Sequence, residues 1–191
     1  MCQSLLRLAA SSRGVIASVG KVSILLRELT PADIPQLVEL NNDAYPAVPI
    51  VDEDEFAMLT AVCSLTLVAV HEADPGDPIA FVLTVDPGAD YASENYKYFE
   101  ARDSDSLYID RIVVGEEQRG SGLGRILYGA VFERAREDGR TEVTCEVNIQ
   151  PPNPESLAFH DRMGFSRVGT QSTKGGSIVV ALLAAPVGAD V

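Results

Sequence analysis

The run Ile112-Val113-Val114-Gly115-Glu116-Glu117-Gln118-Arg119-Gly120-Ser121-Gly122-Leu123-Gly124-Arg125 has the spacing most suited to holding a ligand. An apolar strand-like stretch ends, a glycine-rich turn follows, and a helical pattern begins. Glycine reaches positive φ at little cost and lets a ligand approach the backbone with no Cβ in the way. The first amides of a helix lack partners within it and point outward, which favours an anion. Arg119 and Arg125 flank the loop and suit phosphate charge. In a chain of formal net charge -13 they are a local reversal of sign. A Walker loop ends in Gly-Lys-Ser/Thr, whereas these glycines lead into Leu123-Gly124-Arg125. A dinucleotide G-x-G-x-x-G beginning at Gly120 requires glycine where Arg125 stands. Taken alone, the turn is equally consistent with structural punctuation.

The surrounding pattern supplies elements to position that loop. Val22–Glu28 reads as a strand. Thr30-Pro31-Ala32-Asp33 starts a helix running to Asp43, with Thr30 as cap, Pro31 in the first turn and Asp33 at the positive end. A second helix begins near Asp52. Its acids Asp52, Glu53, Asp54 and Glu55 either complement the helix dipole or attract an amine. Leu65–His71 and Pro78–Val85 read as strands joined across Glu72–Asp77, and Leu107–Val114 as another. Leu123–Asp138 is an amphipathic helix with Leu123, Ile126, Leu127, Ala130 and Val131 on one stripe, stopped by Gly139. Val143, Cys145 and Val147 alternate with polar residues in a strand. A short helix from Pro154 to Met163 ends at Gly164, and strands follow near Phe165–Gln171 and Ser177–Leu183. On that short helix Asn153, Ser156 and His160 fall at i, i+3 and i+7, one face. Asn153 is also a natural N-cap, with Pro154 at N1. The mixed order implies an α/β (α+β) domain, a partly antiparallel sheet with helices on its faces.

A chain of 191 residues suits one domain, and 46% hydrophobic residues suffice for a sizeable core. The negative charge argues against nucleic-acid binding, which needs Lys and Arg for phosphate neutralisation. It is compatible with cationic substrates and equally with plain solubility. Cys2, Cys63 and Cys145 have neither disulfide nor zinc spacing, so reduced thiols in a cytoplasmic protein are expected, with Cys145 in the core and no metal bound. No stretch reaches the roughly 18–20 apolar residues of a membrane helix. Residues 1–21 hold Arg7, Arg13, Lys21, four serines and no acid. They resemble a transit peptide or a poorly ordered leader, and disorder is expected there. The domain then spans 22–185, with a tail over 186–191.

Two segments together resemble a known family. Arg119-Gly120-Ser121-Gly122-Leu123-Gly124 is similar to the R-x-x-G-x-G/A pyrophosphate loop of GNAT acetyltransferases. Asn153-Pro154-Glu155-Ser156-Leu157-Ala158-Phe159-His160-Asp161-Arg162-Met163-Gly164-Phe165 resembles the family's N-x-x-A-x-x-x-Y-x-x-x-G-F segment on the pantetheine side of CoA. The resemblance extends over Val22 to Leu183, including the order of elements. Asp90–Tyr91, Asn95–Phe99, Tyr108–Arg111 and Cys145–Asn148 further resemble an uncharacterised bacterial subgroup. What this implies is a mixed, mostly antiparallel twisted sheet of about seven strands flanked by about four helices. It also implies acetyl-CoA as co-substrate, held by Ile112, Val113, Val114, Arg119, Gly120, Ser121, Gly122, Leu123, Gly124, Arg125, Asn153, Ser156 and His160. The family's usual tyrosine is replaced by His160. That residue reads either as the acid that protonates the departing thiolate or as a packing and ligand contact.

The implied reaction is acetyl transfer to a primary amine of a small molecule or peptide, without nucleic acid or membrane as partner. In the family, backbone amides of a split strand polarise the thioester carbonyl, here around Ile112–Val114. A free alkylamine holds its proton with a pKa of roughly 10, so a base must remove it. Glu146, which shares a strand face with Asn148, and Asp110, beside Tyr108, are the candidates. Each also reads as an ordinary salt-bridged or edge residue, and Arg111 is a ready partner for Asp110. The acceptor pocket is expected between Asn41–Val51 and the loop Asp90–Asp103. Tyr91, Tyr96, Tyr98 and Phe99 there suit an ammonium group by cation–π contact or simply pack; Tyr108 and Asn148 are further substrate-facing candidates. A CoA-binding regulatory module that has lost catalysis is the alternative, and a partner-binding domain with an incidental glycine turn a further rival. No seam marks a homodimer, although the fold class is compatible with one.

Overall fold

A computed structural model describes residues 15–19, 22–102 and 104–188. Its elements are β1 (Val15–Val19), β2 (Val22–Glu28), α1 (Ile34–Asp43), α2 (Glu53–Val62), β3 (Leu65–His71), β4 (Asp74–Val85), α3 (Glu94–Glu100), β5 (Ser106–Val114), α4 (Leu123–Glu137), β6 (Glu142–Gln150), α5 (Pro154–Arg162), β7 (Ser166–Thr173) and β8 (Ile178–Pro186). The strands form one sheet in the order β1-β2-β3-β4-β5-β6-β8-β7. Every neighbouring pair is antiparallel except β5–β6.

Helices cover both faces. On one, α4 and α5 pack Leu123, Leu127, Tyr128, Val131 and Phe159 against Leu107, Val143, Cys145 and Leu183. On the other, α1 and α2 contribute Leu37, Phe56 and Leu59 over Val68, Val70, Phe81 and Leu83. The acids at the start of α2 serve the helix itself: Asp52 Oδ1 accepts from Glu55 N at 2.8 Å, and Glu55 Oε2 accepts from Asp52 N at 3.1 Å.

The fold differs from the sequence reading in three places. Within the segment expected to be a disordered leader, Val15–Val19 pairs antiparallel with β2, so the strands among the described residues number eight; residues 1–14, 20 and 21 lie outside the described residues. The expected loop Asp90–Asp103 contains α3, a fifth helix, capped by Ser93 and holding Tyr96 and Phe99 at 2% and 1% exposure. These aromatics bury against Tyr108, Val180 and Leu182, which fixes the segment as a helix despite its loop-like flanks. The expected tail begins inside β8 at Pro186, and Val187 donates its amide to Thr141 O; residues 189–191 lie outside the described residues.

One irregularity matters for function. β4 pairs Thr84 with Ile109 but Leu83 with Arg111, so Asp110 is an extra residue, a β-bulge. The bulge reverses the alternation of β5. Leu107 and Ile109 face α4, whereas beyond it Ile112 and Val114 do, and Val113 joins the core under α1 and α2.

Candidate functional site

The glycine turn builds a row of free donors. Gly120 and Gly122 have φ of 76° and 98°, the left-handed region that favours glycine. A Cβ at either would meet no protein atom within 4 Å, so the space above the loop is open. Ser121 N and Oγ both donate to Gln118 O. The amides of Gly120, Gly122, Leu123, Gly124 and Arg125 have no hydrogen-bond partner among the described residues. They border a cavity of about 750 Å³ that Arg119, Arg125 and Arg162 also line. Arg119 and Arg125 are exposed and have no ion-pair partner among the described residues. Gly124 has a second reason for its identity: a Cβ there would come 3.3 Å from the Phe159 ring, so the glycine lets α4 and α5 approach.

The cavity continues into a split in the sheet. β5 and β6 pair only from Ser106↔Glu142 to Tyr108↔Thr144, then diverge. A second cavity of about 450 Å³ occupies the split. Ile112, Tyr128, Asn148, Asn153 and His160 border both cavities, so the two adjoin. The loop after α1 crosses the opening and is tied down by Asn148 Nδ2, which donates to Pro46 O at 2.8 Å.

Two carboxylates lie where the strands part. Glu146 accepts from the Tyr108 hydroxyl at 2.8 Å. Burial, then the charge of Asp110, pushes its carboxyl up to about 8, against the pull of Tyr108, Asn95 and Arg111. Asp110 is otherwise engaged. Arg111 Nε donates to its Oδ2 at 3.2 Å, the Tyr91 hydroxyl donates to its Oδ1, and Arg111 also donates to Asn41 Oδ1 at 2.8 Å. Both carboxylates border the second cavity, but Glu146 has no cation bound to it among the described residues.

At the start of α5, Asn153 Oδ1 accepts from Ser156 N at 3.2 Å, with Pro154 in the first turn. His160, 5% exposed, places Nδ1 2.7 Å from Ser156 O and Nε2 2.5 Å from the Tyr128 hydroxyl. Burial lowers the pKa of its ring.

Residues 34–165 match the family model described as acetyltransferase (GNAT) family. The chain belongs to the GNAT acetyltransferase family. Solved structures share the fold. A ribosomal-protein-alanine N-acetyltransferase from Brucella melitensis superposes with a TM-score of 0.64 at 23% identity, covering 85% of this chain and 99% of its own. The ribosomal-protein-S18-alanine N-acetyltransferase from Escherichia coli gives 0.64 at 17% identity, covering 88% and 96%. YncA from Salmonella typhimurium, solved with its cofactor acetyl-CoA, gives 0.62 at 17% identity, covering 88% and 96%. No curated protein matches the chain in sequence.

Within this GNAT domain the residues singled out by sequence separate into three groups. Ile112, Val113, Val114, Arg119, Gly120, Gly122, Leu123, Gly124, Arg125, Asn153, Ser156 and His160 border the larger cavity; Ser121 does not, because its amide and hydroxyl turn back to Gln118. Glu146, Asp110 and Asn148 border the smaller one, while Tyr108 and Tyr91 stand behind the carboxylates as donors. Tyr96 belongs to neither: its hydroxyl donates to Asp86 O and accepts from Ala89 N, which staples the loop before α3. Nor does Phe99 await a ligand cation, since Arg102 already lies 5.9 Å from its ring centroid. Sequence reasoning missed Tyr128 and Lys174 on the cavity walls, whereas Asn95 lies within the expected acceptor segment. The helical stripe from Leu123 to Val131 was the available signal for Tyr128, a polar-tipped ring among aliphatics. Among the described residues no helix is long and apolar enough to cross a membrane, and no group of three or more His, Cys, Asp or Glu is placed to hold a metal.

Proposed function

We propose that this chain transfers the acetyl group of acetyl-CoA to a primary amine of a small molecule or peptide. What carries the reading is adjacency: a row of free amides opens onto a cavity that adjoins the one bordered by Glu146. When bound, acetyl-CoA supplies an activated carbonyl and a thiolate leaving group. The amides of Gly120, Gly122, Leu123, Gly124 and Arg125 suit its diphosphate, with Arg119 and Arg125 neutralising charge. The unpaired edge of β5 at Ile112–Val114 offers backbone donors to the carbonyl oxygen. Glu146, with its carboxyl near 8, is the base that takes the proton of the incoming ammonium. Asp110 serves the site through charge rather than as a base, because Arg111 and Tyr91 hold both its oxygens.

The test is release of free thiol from acetyl-CoA across amino acids, polyamines, aminoglycosides and peptide N-termini. Peptide N-termini belong in the set because two structural neighbours are named for acetylating a protein alanine. Turnover of an amine by the wild type and its loss in Glu146→Gln support the reading. Binding of CoA without turnover of any amine instead favours a regulatory module. Saturating CoA, at 100 times its dissociation constant, should add about 2.7 kcal/mol of stability in either case. No stabilisation at all removes both readings.

A further inference from the structure

We propose that Tyr128, presented by α4, is the catalytic proton carrier at the leaving sulfur, with His160 as the residue that stores and returns its proton. The proposal rests on the acetyl-transfer reading above.

The assignment follows from what each atom can donate. Ser156 O can only accept, so the 2.7 Å contact places a hydrogen on His160 Nδ1. A second hydrogen on Nε2 makes a cation. The ring is enclosed by Tyr128, Phe159 and Phe165, with centroids 5.4, 5.5 and 5.3 Å away, which disfavours that charge. Nε2 therefore carries a lone pair, and the Tyr128 hydroxyl 2.5 Å away donates to it. In this resting state His160 has no proton to give to sulfur. Tyr128 is the residue that lines both cavities and whose hydroxyl caps Nε2, although its side chain is buried. It lies one helical turn beyond Gly124, whose amide belongs to the cradle. Its other polar neighbour is the Cys145 thiol at 4.0 Å, and Glu146 is the charged group facing it from the strand beneath.

The proton balance closes on these residues. Glu146 takes one proton from the ammonium. As the nitrogen–carbon bond forms, the nitrogen sheds a second; Tyr128 Oη takes it while passing its own to His160 Nε2. The carbon–sulfur bond then breaks with its electron pair on sulfur. The same oxygen delivers a proton to sulfur and recovers one from His160, so both side chains end as they began. A concerted handover is required because burial, with Cys145 and Glu146 nearby, holds the Tyr128 phenol well above its ordinary value. A free tyrosinate is thereby avoided. The same burial lowers the His160 pKa, so the proton passed to Nε2 is held only for the handover and is returned readily.

Two experiments decide it. The chain has two histidines, so imidazole nitrogen NMR on labelled protein resolves His160. A neutral ring protonated at Nδ1 at pH 7 is expected, with the Nε2 resonance moved by Tyr128→Phe. A ring protonated at Nε2 overturns the proposal whatever the activity. Kinetically, Tyr128→Phe and His160→Gln should each lower kcat about 100-fold or more while the Kd for acetyl-CoA changes less than about threefold. The double variant should be no slower than the slower single one, because the pair acts as a unit. Independent losses that multiply, or a Tyr128→Phe enzyme within about threefold of wild type, overturn the dyad and leave the transferase reading standing. A wild type that turns over no amine removes the ground for both.

Discussion

Tyr108 donates its hydroxyl to Glu146 from a neighbouring strand that is paired at Tyr108↔Thr144 and parted immediately beyond. The last rung of the ladder thus fixes the donor, and the first residues past it are free to face a ligand. A half-buried carboxyl with a neutral donor, and with no cation on it among the described residues, holds its proton at neutral pH and releases it above.

Glu146→Gln should abolish most turnover and stabilise the protein at alkaline pH. The folded-state value, about 8, lies above the unfolded value of 4.5, so the wild type gains from holding its proton below 4.5 and loses that gain as pH rises to 8. The glutamine variant carries no such penalty. Since one pKa unit is worth about 1.4 kcal/mol, the variant's advantage reaches the order of a few kcal/mol at pH 9 and vanishes near pH 4. Thermal melts across pH measure it; equal melting curves at pH 9 contradict the buried charge.

In the wild type, kcat/KM should climb with pH through about 8, as Glu146 ionises. Tyr108→Phe removes a donor that favours the ionised form. Its rising limb should therefore move to higher pH, and a limb displaced to lower pH contradicts the assignment.

Asp110→Asn should act in the opposite sense from Glu146→Gln on stability. Asp110 and Arg111 are 7% and 9% exposed, and the guanidinium would keep Asn41 but lose its carboxylate. Stranding a buried charge costs roughly 3 kcal/mol. Urea denaturation at pH 7 reads this directly; unchanged stability shows that the pair is not structural.

Gly122→Val should separate cofactor binding from folding. At φ 98° a side chain costs about 1–2 kcal/mol of backbone strain, yet it meets no protein atom. Its bulk stands instead in the space above the free amides. The variant should fold, with the stabilisation by CoA lost in a thermal-shift titration; an undiminished shift argues that the diphosphate binds elsewhere.

Much of this was legible in one dimension because it is local. The strand–glycine–helix transition at Ile112–Arg125, the capping of α5 by Asn153 and Pro154, and the stripe of α4 depend on residues within a few positions of one another. Their propensities, periods and missing Cβ atoms are written in the chain. Where sequence reasoning failed, a distant partner had decided. Tyr96 reads as a pocket aromatic until Asp86 and Ala89 take up its hydroxyl. Val15–Val19 reads as leader until β2 supplies its ladder.

The sequence by itself determined the family, most of the element order and the glycine turn between β5 and α4, since backbone freedom and hydrophobic period are short-range properties. Only the tertiary structure decided which carboxylate is free, because that depends on Arg111 and Tyr91 reaching Asp110 while Tyr108 reaches Glu146 across diverging strands. It also decided that a tyrosine on α4 and a histidine on α5 share a hydrogen bond, since burial and hydrogen-bond partners exist only once the helices have packed.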